Sequence, residues 1–331
     1  MNKQISWINI GRAICMCCVY FYHSENSGME NLEYSYFFRP FFLEFFFFIS
    51  GYLMLIPGKR LDIKHKLNSI LSKMIWPYFL FTTIIWVPKM IKHGRDIDIA
   101  SYFVDVFGGT ASWFIAALIV AELMILLLSC FLKDTRQYLI VGILTFAAAM
   151  VLKIYFPEPQ PWYYKSGMMG ILFMSIGGCY RYYQDKLEHF FTWRNCIVAF
   201  CVYSAITLVD YSTFRYTPST CEVSYKCIPL GLIENITGIC FMLLLVKKMP
   251  SCSWFDYIGK NSLPFYFLSG ACPTFASLFF KKIMPEAGYL MATSVVALMA
   301  IIMAYISTFI IEQYFPIMLN VLYKREKRKK T

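Results

Sequence analysis

The run GYLMATSVVALMAIIMAYISTFIIEQYF, residues 288–315, decides the fold, because its one charged side chain is Glu312. A hydrocarbon core about 30 Å thick is crossed by roughly 20 apolar residues at a helical rise of about 1.5 Å each. Water is absent there, so every backbone N–H and C=O of a spanning segment must be satisfied internally, which a helix does. This run predicts a transmembrane helix.

Working outward, nine more apolar runs lie at about 5–23, 37–56, 74–91, 112–132, 137–154, 166–183, 195–210, 228–246 and 262–280. Together they predict an all-α, polytopic integral membrane protein of about ten transmembrane helices. Pro77 and Pro88 in the third run and Pro273 in the ninth predict kinks or broken turns. The composition agrees: 58% of the 331 residues are hydrophobic and only 15% charged, too few to keep a soluble domain of this length in water. No internal repeat or separate soluble domain is visible, so residues 1–322 form one membrane domain, followed by a basic tail at 323–331.

The net charge of +11 would suggest nucleic-acid binding in a soluble protein. Here the cations flank apolar runs, so topology explains them and no nucleic-acid partner is expected. With the N-terminus inside, 20 of the 31 Lys and Arg fall on inner segments and 10 on outer ones, and Arg12 lies within a span. The positive-inside rule therefore puts both termini in the cytoplasm, with the tail resting near anionic lipid. The first run is read as a retained helix rather than a signal peptide, because Arg12 and His23 interrupt it and no small-residue cleavage site follows.

Most of the twelve cysteines lie inside apolar runs and read as small buried hydrophobes. Cys221 and Cys227, in a loop placed outside, are the one candidate disulfide pair. With four histidines and no zinc-finger spacing, no metal site is expected.

Ionisable groups inside spans are the informative residues, since each is costly unless paired or hydrated. They are Arg12, His23, Glu44, Glu122, Glu234 and Glu312. Arg12 and His23 stand eleven residues apart, which returns a helix to within about 20° of the same face and separates them by about 16 Å along the axis. One face thus carries a fixed cation in its inner half and an imidazole near its outer end. The bland alternative is a boundary pair, Arg12 snorkelling inward and His23 capping outside. Counting down the second helix puts Glu44 at about the depth of His23, where a carboxylate would fix an imidazole's tautomer as a general base requires.

Four ordered features resemble the acyltransferase 3 family of membrane O-acyltransferases. They are Arg12 and His23 on the first helix; Phe45-Phe-Phe-Phe-Ile-Ser-Gly-Tyr-Leu53, holding Ser50; a basic stretch before Trp76-Pro77-Tyr78, with Ser112-Trp113-Phe114 opening the fourth helix; and Tyr257-Ile-Gly-Lys-Asn-Ser-Leu263. The resemblance implies a bacterial cytoplasmic (inner) membrane enzyme of ten helices, without a bound cofactor. It would use acetyl-CoA as donor substrate and transfer acetyl to a hydroxyl of a cell-surface or lipid-linked sugar, as in polysaccharide O-acetylation. It also implies that His23 is catalytic, with Arg12 as its partner, and Glu44 is placed beside them as orienter. Lys59, Arg60, Lys64 and Lys73 are the expected CoA-phosphate contacts, with Arg12 guiding the donor arm. Ser50, Trp113, Lys260, Asn261 and Ser262 are motif positions of an acceptor-binding or structural kind.

Two positions depart from the family pattern. Lysines stand where arginines are common before Pro-Tyr, and lysine lacks the bidentate fork that grips a phosphate. The ninth helix reads Tyr266-Phe-Leu-Ser269 where many relatives carry histidine. Direct transfer and a transient acetyl-His23 both fit the residues. Two rivals stand beside the enzyme: a sugar transporter or flippase, which broken helices and buried charges suit, and a non-catalytic partner of an export machine.

Overall fold

The computed structural model describes residues 3–25, 34–92, 94–157, 160–284, 286 and 288–320; the basic tail at 323–331 lies outside them. No strand occurs among the described residues. The helices in chain order are α1 (Lys3–Glu25), α2 (Arg39–Met54), α3 (Ile63–Ile70), α4 (Trp76–Lys92), α5 (Ile99–Tyr102), α6 (Trp113–Leu128), α7 (Thr135–Tyr155), α8 (Tyr164–Leu187), α9 (Trp193–Phe214), α10 (Ile228–Lys248), α11 (Ser253–Lys260), α12 (Ser262–Leu268), α13 (Ala271–Ile283) and α14 (Tyr289–Tyr314). Local chemistry sets several of these ends. Asp62 accepts the His65 N–H at the start of α3, Asp98 accepts that of Ser101 at α5, and Thr192 accepts that of Asn195 at α9. Arg215, in the left-handed conformation at φ 51°, closes α9.

Each of the ten apolar runs coincides with helix. Among the described residues, five helical segments are long and apolar enough to cross a membrane, or six if one bent pair is a single span. The four others fall short for visible reasons. Helices α2 and α6 have 16 residues each, while α1 and α8 dilute their apolar content with Arg, Asn, Gly, Ser and Tyr.

Two of the three prolines act where the sequence places them; Pro88 does not break the chain, since it lies inside α4, which runs from Trp76 to Lys92 without interruption. The ring of Pro77 would collide with the carbonyl of Lys73 in a regular helix; instead Leu71–Ile75 widens into a π-turn joining α3 to α4. In the ninth run the chain bends by 51° between α12 and α13, just before Pro273.

Contacts group the chain into two compact units, with divisions inside α2 after Phe46, inside α8 after Gln184 and inside α14 after Ile310, and with Thr220–Ser224 in the second unit. In the first unit α1 packs on α10, α11, α12 and α13, and α9 packs on α10. Two glycines allow close approach: a Cβ on Gly11 would lie 2.6 Å from the Phe45 ring, and one on Gly259 would lie 2.0 Å from the Asn9 carbonyl oxygen. Asn9 Nδ2 donates to Asp256 Oδ1 at 3.1 Å, and the Tyr20 hydroxyl donates to the Phe265 carbonyl at 2.8 Å. Both bonds tie α1 to the segment holding the Tyr257–Leu263 motif.

In the second unit the rest of α2 lies against α8 with almost no side-chain space between the backbones. A Cβ on Gly51 would meet the Met174 carbonyl oxygen at 1.9 Å, and one on Gly177 would meet that of Phe48 at 2.0 Å. Small residues facing each other in this way are how membrane helices gain contact where lipid tails are as apolar as leucine. Gly51→Val is expected to lower stability by about 3 kcal/mol, at the upper end of overpacking costs. A thermal-unfolding series in detergent checks this, against a control substitution at Leu53, which is exposed at 41%.

Candidate functional site

Helix α1 is unbroken from Lys3 to Glu25, so Arg12 and His23 keep the single-face spacing that the sequence predicts. Both side chains are half-buried. The end of α1 carrying His23 is held firmly. Glu25, 5% exposed, accepts from the backbone N–H groups of Tyr34 at 2.7 Å and Ser35 at 3.1 Å, capping the short 3-10 turn that leads into α2. The Ser24 hydroxyl donates back to the Tyr20 carbonyl at 2.8 Å. The Tyr22 ring centroid lies 5.5 Å from that of His23 and 5.3 Å from the Arg39 guanidinium carbon.

Glu44 is 1% exposed, and its neighbour Phe45 rests on Gly11 of α1. The second helix starts at Arg39 rather than at Phe37, because a 3-10 turn occupies Tyr34–Phe37.

Glu44 belongs to a buried polar patch of the first unit. Glu234 and Asn235 of α10 and Thr207 of α9 are each 0% exposed, and Asp210 is 3% exposed. Asn235 links three segments: its Nδ2 donates to the Pro40 carbonyl at 2.5 Å, and its Oδ1 accepts from the Tyr225 hydroxyl at 2.6 Å. Burial pushes the Tyr225 phenol well above its ordinary pKa, and the Glu44 and Glu234 carboxylates add to the shift, so it stays a donor. Asn235 and Tyr225 were not among the candidates read from sequence. The adjacent polar pair Glu234-Asn235 inside an apolar run was the available signal; Tyr225 had none.

The Phe45–Leu53 signature contributes to the second unit through three consecutive residues. The Ser50 hydroxyl donates to Glu122 Oε1 of α6. Gly51 makes the backbone contact with α8. Tyr52 is clamped by Arg181, whose guanidinium donates to the Tyr52 carbonyl at 2.7 Å and lies 4.8 Å from its ring, while its hydroxyl donates to Gln184 Oε1 at 2.8 Å. The other Glu122 oxygen pairs with Lys66 Nζ at 3.0 Å. Lys66 was not in the expected donor set; Lys59, Arg60, Lys64 and Lys73, which were, are all exposed.

Trp113 opens α6 half-buried, its ring 5.8 Å from that of Tyr163. Lys260 is exposed at the end of α11. Asn261 is the joint between α11 and α12, its N–H on the Tyr257 carbonyl at 3.1 Å and its carbonyl accepting from Phe265 N–H at 3.2 Å, and Ser262 begins α12. This motif shapes a turn against α1. None of the twelve cysteines, Cys221 and Cys227 among them, is in a disulfide, and no cluster suited to a metal ion occurs among the described residues.

Asn235→Ala is expected to cost about 2 kcal/mol, because it leaves the buried Pro40 carbonyl and the Tyr225 hydroxyl without their partner. Chemical denaturation in micelles measures the loss, and Tyr225→Phe in the same background should add little. The model of one family, an acyltransferase domain (acyltransferase 3), matches residues 5–313. No curated protein and no solved structure matches the chain.

Proposed function

The chain belongs to the acyltransferase 3 family, and from that premise we propose that it is a membrane O-acetyltransferase that moves acetyl from cytoplasmic acetyl-CoA to a sugar hydroxyl across a bacterial cytoplasmic membrane. About ten helices with both termini in the cytoplasm form the enzyme, and its acceptor is a cell-surface or lipid-linked glycan. The observation that carries the reading is the unbroken α1, which holds Arg12 and His23 on one face about 16 Å apart. A thioester approaching from one side and a hydroxyl from the other require a catalytic group displaced along such an axis.

The chemistry balances without a further reactant. His23 takes the proton of the acceptor hydroxyl as its oxygen attacks the thioester carbonyl carbon. The tetrahedral adduct collapses, the C–S bond breaks, and the imidazolium returns the proton to the departing CoA thiolate. Arg12 guides the phosphate-bearing donor arm, and Glu44 orients the His23 imidazole. Lys59, Arg60, Lys64 and Lys73 neutralise the donor's phosphates; their exposure supports that role. Ser50 and Asn261 serve architecture, as their bonds indicate, and Trp113 beside Tyr163 offers an aromatic face to a sugar ring.

The bend between α12 and α13 favours a second reading, a sugar flippase with a discontinuous helix at its substrate site. Purified protein in nanodiscs separates the two. With acetyl-CoA and a panel of glycans, thiol release is expected only when an acceptor is present, and His23→Ala should reduce it at least a thousandfold, within the usual range for loss of a general base with its positioning. Arg12→Ala should act mainly through KM for acetyl-CoA. Transfer that persists unchanged in His23→Ala overturns the assignment of the base. Absence of transfer from any acyl donor to any glycan gives the flippase reading its place.

A further inference from the structure

Among the cations that precede Trp76-Pro77-Tyr78, Lys66 differs from the rest in its surroundings. Lys59, Arg60, Lys64 and Lys73 are exposed, whereas the Lys66 side chain is 25% exposed and its ammonium sits 3.0 Å from a carboxylate that is itself only 7% exposed. That carboxylate, Glu122, is the one charged residue of α6. A charge on a helix whose other residues are all apolar is costly unless its oxygens are engaged. Here Lys66 takes one and the Ser50 hydroxyl takes the other. Three elements, α2, α3 and α6, thus meet at a single carboxylate.

The π-turn gives this junction its consequence. Residues seven apart on a regular helix lie within about 20° of each other, so Lys66 and Lys73 would share a face. The extra residue accommodated in Leu71–Ile75 breaks that register. Lys66 and Ile70 turn inward, and Lys64 and Lys73 are left exposed. The segment therefore has one inward cation that fixes it and, in Lys64 and Lys73, cations that face outward.

We propose that Lys66, Glu122 and Ser50 are positioning residues that hold α3 so that Lys64 and Lys73 meet the phosphates of a nucleotide-bearing thioester donor. The proposal rests on the donor reading given above. It requires that these three residues act on affinity for the phosphorylated part of the donor, and not on the acyl transfer step or on the acceptor.

Steady-state kinetics in nanodiscs test it with two donors, acetyl-CoA and the phosphate-free acetyl thioester of N-acetylcysteamine. For Lys66→Met and Glu122→Gln, the KM for acetyl-CoA is expected to rise about tenfold, as for the loss of one well-placed ionic contact. The kcat and the acceptor KM should stay within twofold of the wild-type values. The double variant should be no worse than either single one, because the two residues form one contact, and Lys66→Arg should restore most of the affinity. The KM for the phosphate-free thioester should not move. An equal rise in KM for both donors, a fall in kcat alone, or unchanged kinetics in both single variants overturns the positioning role while leaving the enzyme reading intact. If the wild-type protein transfers acetyl from neither donor, the donor reading itself is overturned.

Discussion

A carboxylate placed in an apolar bundle must have its oxygens occupied, and Glu122 shows how this chain meets that constraint. Its two oxygens draw Ser50 from α2 and Lys66 from α3, so the cost of burying the charge becomes a reason for three elements to meet at one point. The same logic recurs elsewhere with hydrogen-bonded polar groups. Asn9 and Asp256 pin α1 to α11, and Asn235 holds the start of α2 and the loop at Tyr225. Without a hydrophobic driving force between lipid-facing helices, such bonds and close van der Waals contact decide which helices pair.

Close contact is supplied by glycine, and it explains why motif positions that look catalytic are in part architectural. Gly51 and Gly177 bring the backbones of α2 and α8 together, and Gly259 seats the Tyr257–Leu263 motif against Asn9. Gly11, which precedes Arg12, seats Phe45, so the helix carrying Arg12 and His23 is braced beside Arg12. Glu25 braces the other end by capping the turn that leads into α2. A proton-transfer group benefits from rigid support, because small errors in placement are costly in rate.

Much of this was legible in the sequence, and the particular failures have physical causes. The helices and the breaks at Pro77 and Pro273 follow from hydropathy and from proline's missing donor, properties of single residues and their spacing. The Arg12–His23 relation survived because α1 has no break between them. The start of the second helix was placed early, since no distinctive residue announced the 3-10 turn at Tyr34–Phe37. Lys66 was indistinguishable from its neighbours because its role depends on a π-turn and on a carboxylate 56 positions away. Four helices, α1, α2, α6 and α8, are helical as expected, but they are too short or too polar to qualify as spans by composition alone. Polar residues that build an interior site weaken the very signal that marks a span.

The central claim is that one face of α1 carries an acyl transfer between opposite sides of a membrane. Proteoliposomes with isotope-labelled acetyl-CoA on the side of Lys64 and Lys73 and a glycan acceptor on the other side test it most directly, read by mass spectrometry of the glycan. The account predicts that the glycan gains the labelled acetyl group with wild-type protein and stays unmodified with His23→Ala. A glycan that crosses the membrane without gaining mass, or that is acetylated equally by the His23→Ala variant, would contradict it.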